Sequence, residues 1–187
     1  MALTQRNDSS EDTPKQVVCR AGRRIYFFSD IDSWSVCEAI KLIDKLEYES
    51  GKPIEIVLDS AGGWCYHGLA LFDRIRQSKC KVYMIATGLV ASMGLVIFLA
   101  GDYRAVTENS KLLNHQSTSD LGGKVSDIKI ETEEIFRLEK QIIQIIAERT
   151  GLPLKKIKSQ TKIGDDYILP KQAIKEGYAH EIIFNKK

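Results

Sequence analysis

Apolar and polar residues along this chain of 187 residues alternate in short blocks that predict a series of strands and helices. Residues 1–16 (MALTQRNDSSEDTPKQ) are polar and include Pro14, so they are expected to form a mobile arm before a structured domain over 17–187. Arg24 to Phe28 (RIYFF) reads as a strand. Ser33 is the candidate N-cap of a helix carrying Val36, Cys37, Ile40, Ile43 and Leu46 at helical spacing, with Gly51 beyond its end. After Pro53, Ile54, Ile56 and Leu58 alternate with Glu55 and Val57, which predicts a strand, and Asp59 to Gly63 predict a turn. Gly68 to Gln77 reads as a helix and Lys81 to Ala86 as the next strand.

Val82 to Gly101 carries no charged residue and is long enough for a membrane helix. Gly88, Ser92 and Gly94 interrupt it, and Lys81 and Asp102 bound it. It is therefore read as a buried strand, a tight turn and a buried helix over Met93 to Ala100, with no membrane span. Strands alternating with helices predict an α/β fold of parallel crossover units. Ser110 to Gln116 reads as a further strand. In the long helix expected over Val125 to Arg149, Ile128, Ile135, Leu138, Ile142 and Ile145 form one apolar stripe, and Phe136 and Ile143 begin a second. Two apolar sides fit a helix buried in its own domain or one that meets another subunit, and the pattern leaves both open. Pro153 to Gln160 and Pro170 to Glu176 read as short helices, and Tyr178 to Phe184 as a last strand.

Composition narrows the class. Hydrophobic residues make up 43% and charged residues 28%, as in soluble globular domains. A net charge of +2 without a Lys/Arg block argues against nucleic-acid binding. Cys19, Cys37, Cys65 and Cys80 form no CxxC pair and no metal-ligand spacing. Met1 to Lys15 lacks the apolar stretch of a secretory signal, so reduced thiols in the cytoplasm are expected.

Four groups of residues carry candidate chemistry. Ser92, in Gly88-Leu89-Val90-Ala91-Ser92-Met93-Gly94, falls at the predicted strand-to-helix turn. A serine there is exposed at the sheet edge beside the N–H groups of a helix start, as a nucleophile requires. Alone it could equally be a small packed residue. Gly62-Gly63 lets backbone approach a ligand closely and bares an N–H for a developing oxyanion. His115 is one of three histidines, the residue type most suited to general base work near neutral pH. Asp165 and Asp166 each offer a carboxylate to orient an imidazole, or form a polar turn before Tyr167.

Taken in order, Ser60-x-Gly-Gly, Gly-x-x-Ala-Ser-Met-Gly, His-Gln, and Asp ahead of an Ala-x-x-x-Gly helix end resemble the Clp protease proteolytic subunit (ClpP) family over about residues 24–184. The resemblance implies a ClpP/crotonase-like spiral of βαβ units with a protruding long handle helix, here 125–149. It implies a serine endopeptidase without cofactor or metal, acting on peptides or unfolded proteins. Ser92 is then the nucleophile, His115 the base, and Asp165 the orienting acid, chosen over Asp166 by counting back from Ala173 and Gly177. The N–H groups of Gly63 and Met93 form the oxyanion hole, and Gly62, Gly122 and Gly123 help bind extended substrate.

The family architecture implies a homo-oligomer of seven-membered rings stacked as a tetradecamer. A AAA+ Clp unfoldase as partner stays open, because Glu55 and Val57 stand where docking members carry aromatics. The chain also departs from the family pattern at Asp59, Ala61 and Ser117, where Asn, Pro and Pro are usual, and it lacks the basic residues usual beside the catalytic Asp. Two alternatives are a catalytically silent or regulatory ring subunit and a crotonase-type acyl-CoA enzyme. The latter needs carboxylates beside the oxyanion hole instead of Ser-His-Asp.

Overall fold

In a computed structural model, which describes residues 17–116, 122–162 and 166–186, the chain opens with a hairpin. β1 (Val17–Ala21) pairs antiparallel with β2 (Arg24–Phe28). The expected arm at 1–16 lies outside the described residues. α1 (Ser33–Glu49) follows, capped by Asp32 and not by Ser33. The Asp32 carboxylate accepts the Ser35 N–H at 2.7 Å, and the Ser35 hydroxyl accepts the Asp32 N–H at 3.1 Å. This reciprocal box satisfies two N–H groups at once, which a lone serine cap at position 33 would not.

The chain then runs through β3 (Ile54–Ser60), α2 (Cys65–Arg76), β4 (Val82–Ala91), α3 (Met93–Leu99), β5 (Tyr103–Thr107) and β6 (Lys111–Asn114). β2, β3, β4 and β5 are parallel neighbours. Ile25, Phe27, Ile54, Ile56, Leu58, Val82, Met84 and Ala86 turn inward to the core, while Tyr26, Glu55, Val57, Tyr83 and Ile85 take the alternate positions. β5 escapes the apolar pattern because a buried arginine, Arg104, sits in it.

β4 decides where the site falls. Its register with β3 steps from Leu58↔Ala86 to Ser60↔Val90, so β4 bulges opposite Asp59, with Gly88 at φ 55°. The Asp59 carboxylate accepts the Leu89 N–H at 3.2 Å, which gives this half-buried charge a partner in the bulge. Before the bulge β4 pairs with β5; beyond it β4 pairs with β6, ending at Ala91↔Leu113. The end of β4 thus keeps β3 on one side, at Ser60↔Val90, and exchanges β5 for β6 on the other. α3, next in the chain, is buried at all seven residues, which accounts for the long uncharged run. No helix among the described residues is long and apolar enough to cross a membrane.

α4 (Val125–Thr150) is buried only near its C-terminal end, at Ile143 and Ile146. Val125, Ile130 and Phe136 are 84%, 65% and 61% exposed, so the first half of this helix is not covered by its own domain. α5 (Leu154–Lys162), β7 (Asp166–Ile168), α6 (Pro170–Lys175) and β8 (Glu181–Ile183) complete the described chain. β7, where the sequence reading offered a carboxylate or a polar turn and no strand, pairs antiparallel with β6, Asn114 facing Asp166. β8 adds parallel to β5 and is shorter than the run of apolar residues suggested.

Candidate active site

Ser92 stands between the end of β4 and the start of α3. Its backbone, φ 55° and ψ −125°, is the one positive-φ conformation of a non-glycine residue among the described residues. Such a conformation costs on the order of 1–3 kcal/mol and persists only where its surroundings enforce it. Three contacts do so. The Ser92 N–H donates to the Leu113 carbonyl at 3.0 Å, which docks the turn on β6. Its carbonyl accepts the Leu95 N–H at 3.0 Å and starts α3. Gly62 lies against its side chain: a β-carbon there would stand 2.6 Å from Ser92 Cβ.

The Gly62-Gly63 turn is itself held on both sides. The Ser60 hydroxyl accepts the Gly62 N–H at 3.2 Å, the Ile31 N–H donates to the Gly62 carbonyl at 2.8 Å, and the Trp64 N–H donates to Ile31 at 2.9 Å. Gly63 therefore bridges Ile31 through its neighbours, and its own N–H has no protein acceptor among the described residues. Met93 is the first residue of α3, so its N–H has no acceptor within the helix. Gly68 of α2 admits the Met93 side chain: a β-carbon there would be 2.5 Å from Met93 Cε.

His115 follows β6 directly and is half-buried. Its Nδ1 lies 2.8 Å from the Gln116 carbonyl, and since a carbonyl only accepts, Nδ1 is the donor there and Nε2 is the ring nitrogen left to receive a proton. No hydrogen bond joins the ring to the Ser92 hydroxyl among the described residues. Asp165 lies outside the described residues. Asp166 is described, and burial together with nearby Glu176 pushes its carboxyl above the usual range, against the pull of Lys156. Gly122 and Gly123 are exposed, ahead of α4, with nothing among the described residues within 4 Å of where a β-carbon would stand.

The fold sets Gly62 against Ser92, with Gly63 and Met93 the next residues along the chain from each. The sequence did not foresee the Leu113 carbonyl that docks Ser92, nor Trp64, 70% exposed beside Gly63. Nor did it foresee Tyr66, whose hydroxyl donates to Glu134 of α4 at 2.8 Å and ties the start of α2 to the long helix. Two depressions of about 390 and 410 Å³ open elsewhere, on the outward face of the sheet around Glu55 and Tyr83, and none of the site residues lines them.

Sequence and fold together place the chain among the serine-type endopeptidases. The chain belongs to the Clp protease family, whose model matches residues 9–186. It is 34% identical over 134 residues to the ATP-dependent Clp protease proteolytic subunit 2 of Parasynechococcus marenigrum, covering 71% of this chain and 68% of that one. It is 38% identical over 138 residues to the subunit 2 of Treponema denticola, covering 73% and 68%. A solved ClpP1 mutant from Listeria monocytogenes superposes with a TM-score of 0.81 at 30% identity, over 88% of this chain and 93% of that one. The α/β fold is therefore the ClpP fold, and the chain is a Clp-type proteolytic subunit and not an acyl-CoA enzyme.

Proposed function

We propose that this chain hydrolyses peptide bonds by a Ser92–His115–Asp165 triad inside a ring-shaped chamber in the cytoplasm. The Ser92 oxygen bonds to the peptide carbonyl carbon while its proton passes to Nε2 of His115. The carbonyl oxygen takes the negative charge between the N–H groups of Gly63 and Met93. The C–N bond then breaks, the departing amine takes the proton from His115, and water releases the acyl group by the same route in reverse. Asp165 orients His115 and offsets the imidazolium charge. Gly62, Gly122 and Gly123 offer backbone to an extended peptide. Rings of seven copies stack in pairs, with the exposed first half of α4 between them.

The observation that supports this reading is the strained turn at Ser92, which lies against Gly62 and leads straight into Met93, the first residue of α3. Cleavage of short fluorogenic peptides by the purified protein, with Ser92→Ala as control, tests it. Turnover lost in the variant supports the assignment; turnover retained in it removes Ser92 as nucleophile.

One observation favours a second reading, a latent subunit: the Nδ1 proton of His115 is bound by Gln116 and the ring is not bonded to Ser92. Absence of turnover in the wild-type protein, with rings assembled, would select that reading.

A further inference from the structure

Three arginines from three elements converge on the C-terminal end of α3. Arg149, in the last turn of α4, donates from Nε to the Leu99 carbonyl at 2.7 Å and from Nη2 to the Gly101 carbonyl at 2.8 Å. Arg76, at the end of α2, donates to the Ala100 carbonyl at 3.1 Å. Arg104 on β5, only 4% exposed, donates to the Tyr178 carbonyl at 2.7 Å and to the Gly177 and Arg149 carbonyls at 3.1 Å each. No carboxylate hydrogen-bonds any of the three guanidiniums among the described residues. Burial, Arg149 and Arg76 together bring Arg104 down to about 10, and burial and Arg76 lower Arg149. Gathering these charges is unfavourable in itself, and the orphan carbonyls at the negative end of α3 offset that cost.

The clasp matters because of what α3 lacks. Its side chains, from Met93 to Leu99, include no polar group. Its burial gives close packing but no directional bond, and at its front the Ser92 N–H bond to Leu113 docks the turn. The directional side-chain bonds on α3 are those at its far end. A helix of seven residues is about 10 Å long, and α3 carries Ser92 at its other end.

We propose that Arg149 is a positioning residue for the nucleophile: by bonding the carbonyls of Leu99 and Gly101 it sets the height of α3, and with it the Ser92 hydroxyl and the Met93 N–H, relative to the root of α4. This rests on Ser92 being the nucleophile. A displacement near 1 Å at reacting atoms costs about 100-fold in rate, so the clasp acts on turnover and not on substrate affinity.

The test compares wild type, Arg149→Met, Arg149→Lys and Ser92→Ala as full-length assembled proteins. It measures kcat and KM on a fluorogenic peptide, the rate of covalent labelling by a fluorophosphonate, and ring assembly by sedimentation. Arg149→Met is expected to lose about 100-fold in kcat and in labelling rate, with KM and assembly unchanged. Arg149→Lys, which keeps the charge but reaches one carbonyl in place of two, is expected to recover about 10-fold of that loss. Wild-type labelling by assembled Arg149→Met overturns the proposal, as does a loss expressed in KM alone. If Arg149→Met does not fold, Arg149→Lys decides: a lowered kcat at unchanged KM supports the clasp, and a wild-type kcat overturns it. Hydrolysis retained by Ser92→Ala would overturn the nucleophile assignment instead, whatever Arg149 does.

Discussion

Gly62 and Ser92 are in direct apposition: a β-carbon on Gly62 would stand 2.6 Å from Ser92 Cβ and 3.2 Å from its Oγ, and the Gly62 backbone has φ 108°. Both the space and the dihedral exclude a side chain. Gly62→Ala is expected to destabilise the fold by about 1–3 kcal/mol and to lower kcat/KM by about 100-fold by displacing the hydroxyl. Thermal unfolding and peptide hydrolysis check the two effects separately. A folded variant with wild-type activity would contradict the close approach.

The strain at Ser92 predicts an inversion of the usual effect of glycine. At φ 55° and ψ −125° any residue with a β-carbon is strained, and glycine is not. Ser92→Gly is expected to be more stable than Ser92→Ala by about 1–2 kcal/mol, though both lose hydrolysis. Equal unfolding midpoints for the two variants would show that the turn is not strained.

Much of this was legible in the sequence, for reasons that can be located. α1, α2 and α4 follow from apolar spacing and β3 from strict alternation, whereas α3 was legible as an uncharged run, because it is buried at all seven residues. The order of Gly62-Gly63, Ser92 and His115 was legible because the turn residues are adjacent along the chain to the elements that hold them. β5 was not, because Arg104 is buried for its bonds to carbonyls and not for its hydrophobicity. β7 was not, because a three-residue strand beginning with Asp166 has no pattern to read. The β4 bulge depends on pairing with two different strands, and the arginine clasp joins residues 24 to 74 positions apart. Neither is a property of any local segment.

Glu47 predicts an acid-labile joint between α1, α2 and the turn that follows α2. Burial alone would raise its carboxyl, but Arg74, the Ser78 hydroxyl and the Lys79 N–H outweigh that and bring it down to about 2. A carboxyl depressed in the folded state lends stability that is present above its unfolded value, about 4.3, and is lost as pH falls toward about 2. Glu47→Gln is expected to lose about 2 kcal/mol near neutral pH. Denaturant unfolding across that acid window should show the gap between wild type and variant closing. A gap independent of pH would mean that the joint acts through shape and not through charge.

Asp166 carries the opposite sign. Its Oδ2 is buried without a partner among the described residues, and burial and Glu176 raise its carboxyl while Lys156 on α5 pulls the other way. Tyr178, whose hydroxyl is also buried and has no partner among the described residues, is raised by the same surroundings, burial first and then Glu176 and Asp166. A carboxyl raised in the folded state favours folding fully below its unfolded value, about 3.9, and that contribution is lost as pH rises through the folded value. At neutral pH the ionised form is therefore a liability. Asp166→Asn is expected to raise stability by on the order of 1 kcal/mol near pH 7, with the advantage fading as the pH falls through the carboxylate range. Unfolding midpoints at both ends of that range check it. If the variant is less stable than wild type near neutral pH, the buried carboxylate has a partner that outweighs its desolvation, and the pairing of β7 with β6 depends on that charge.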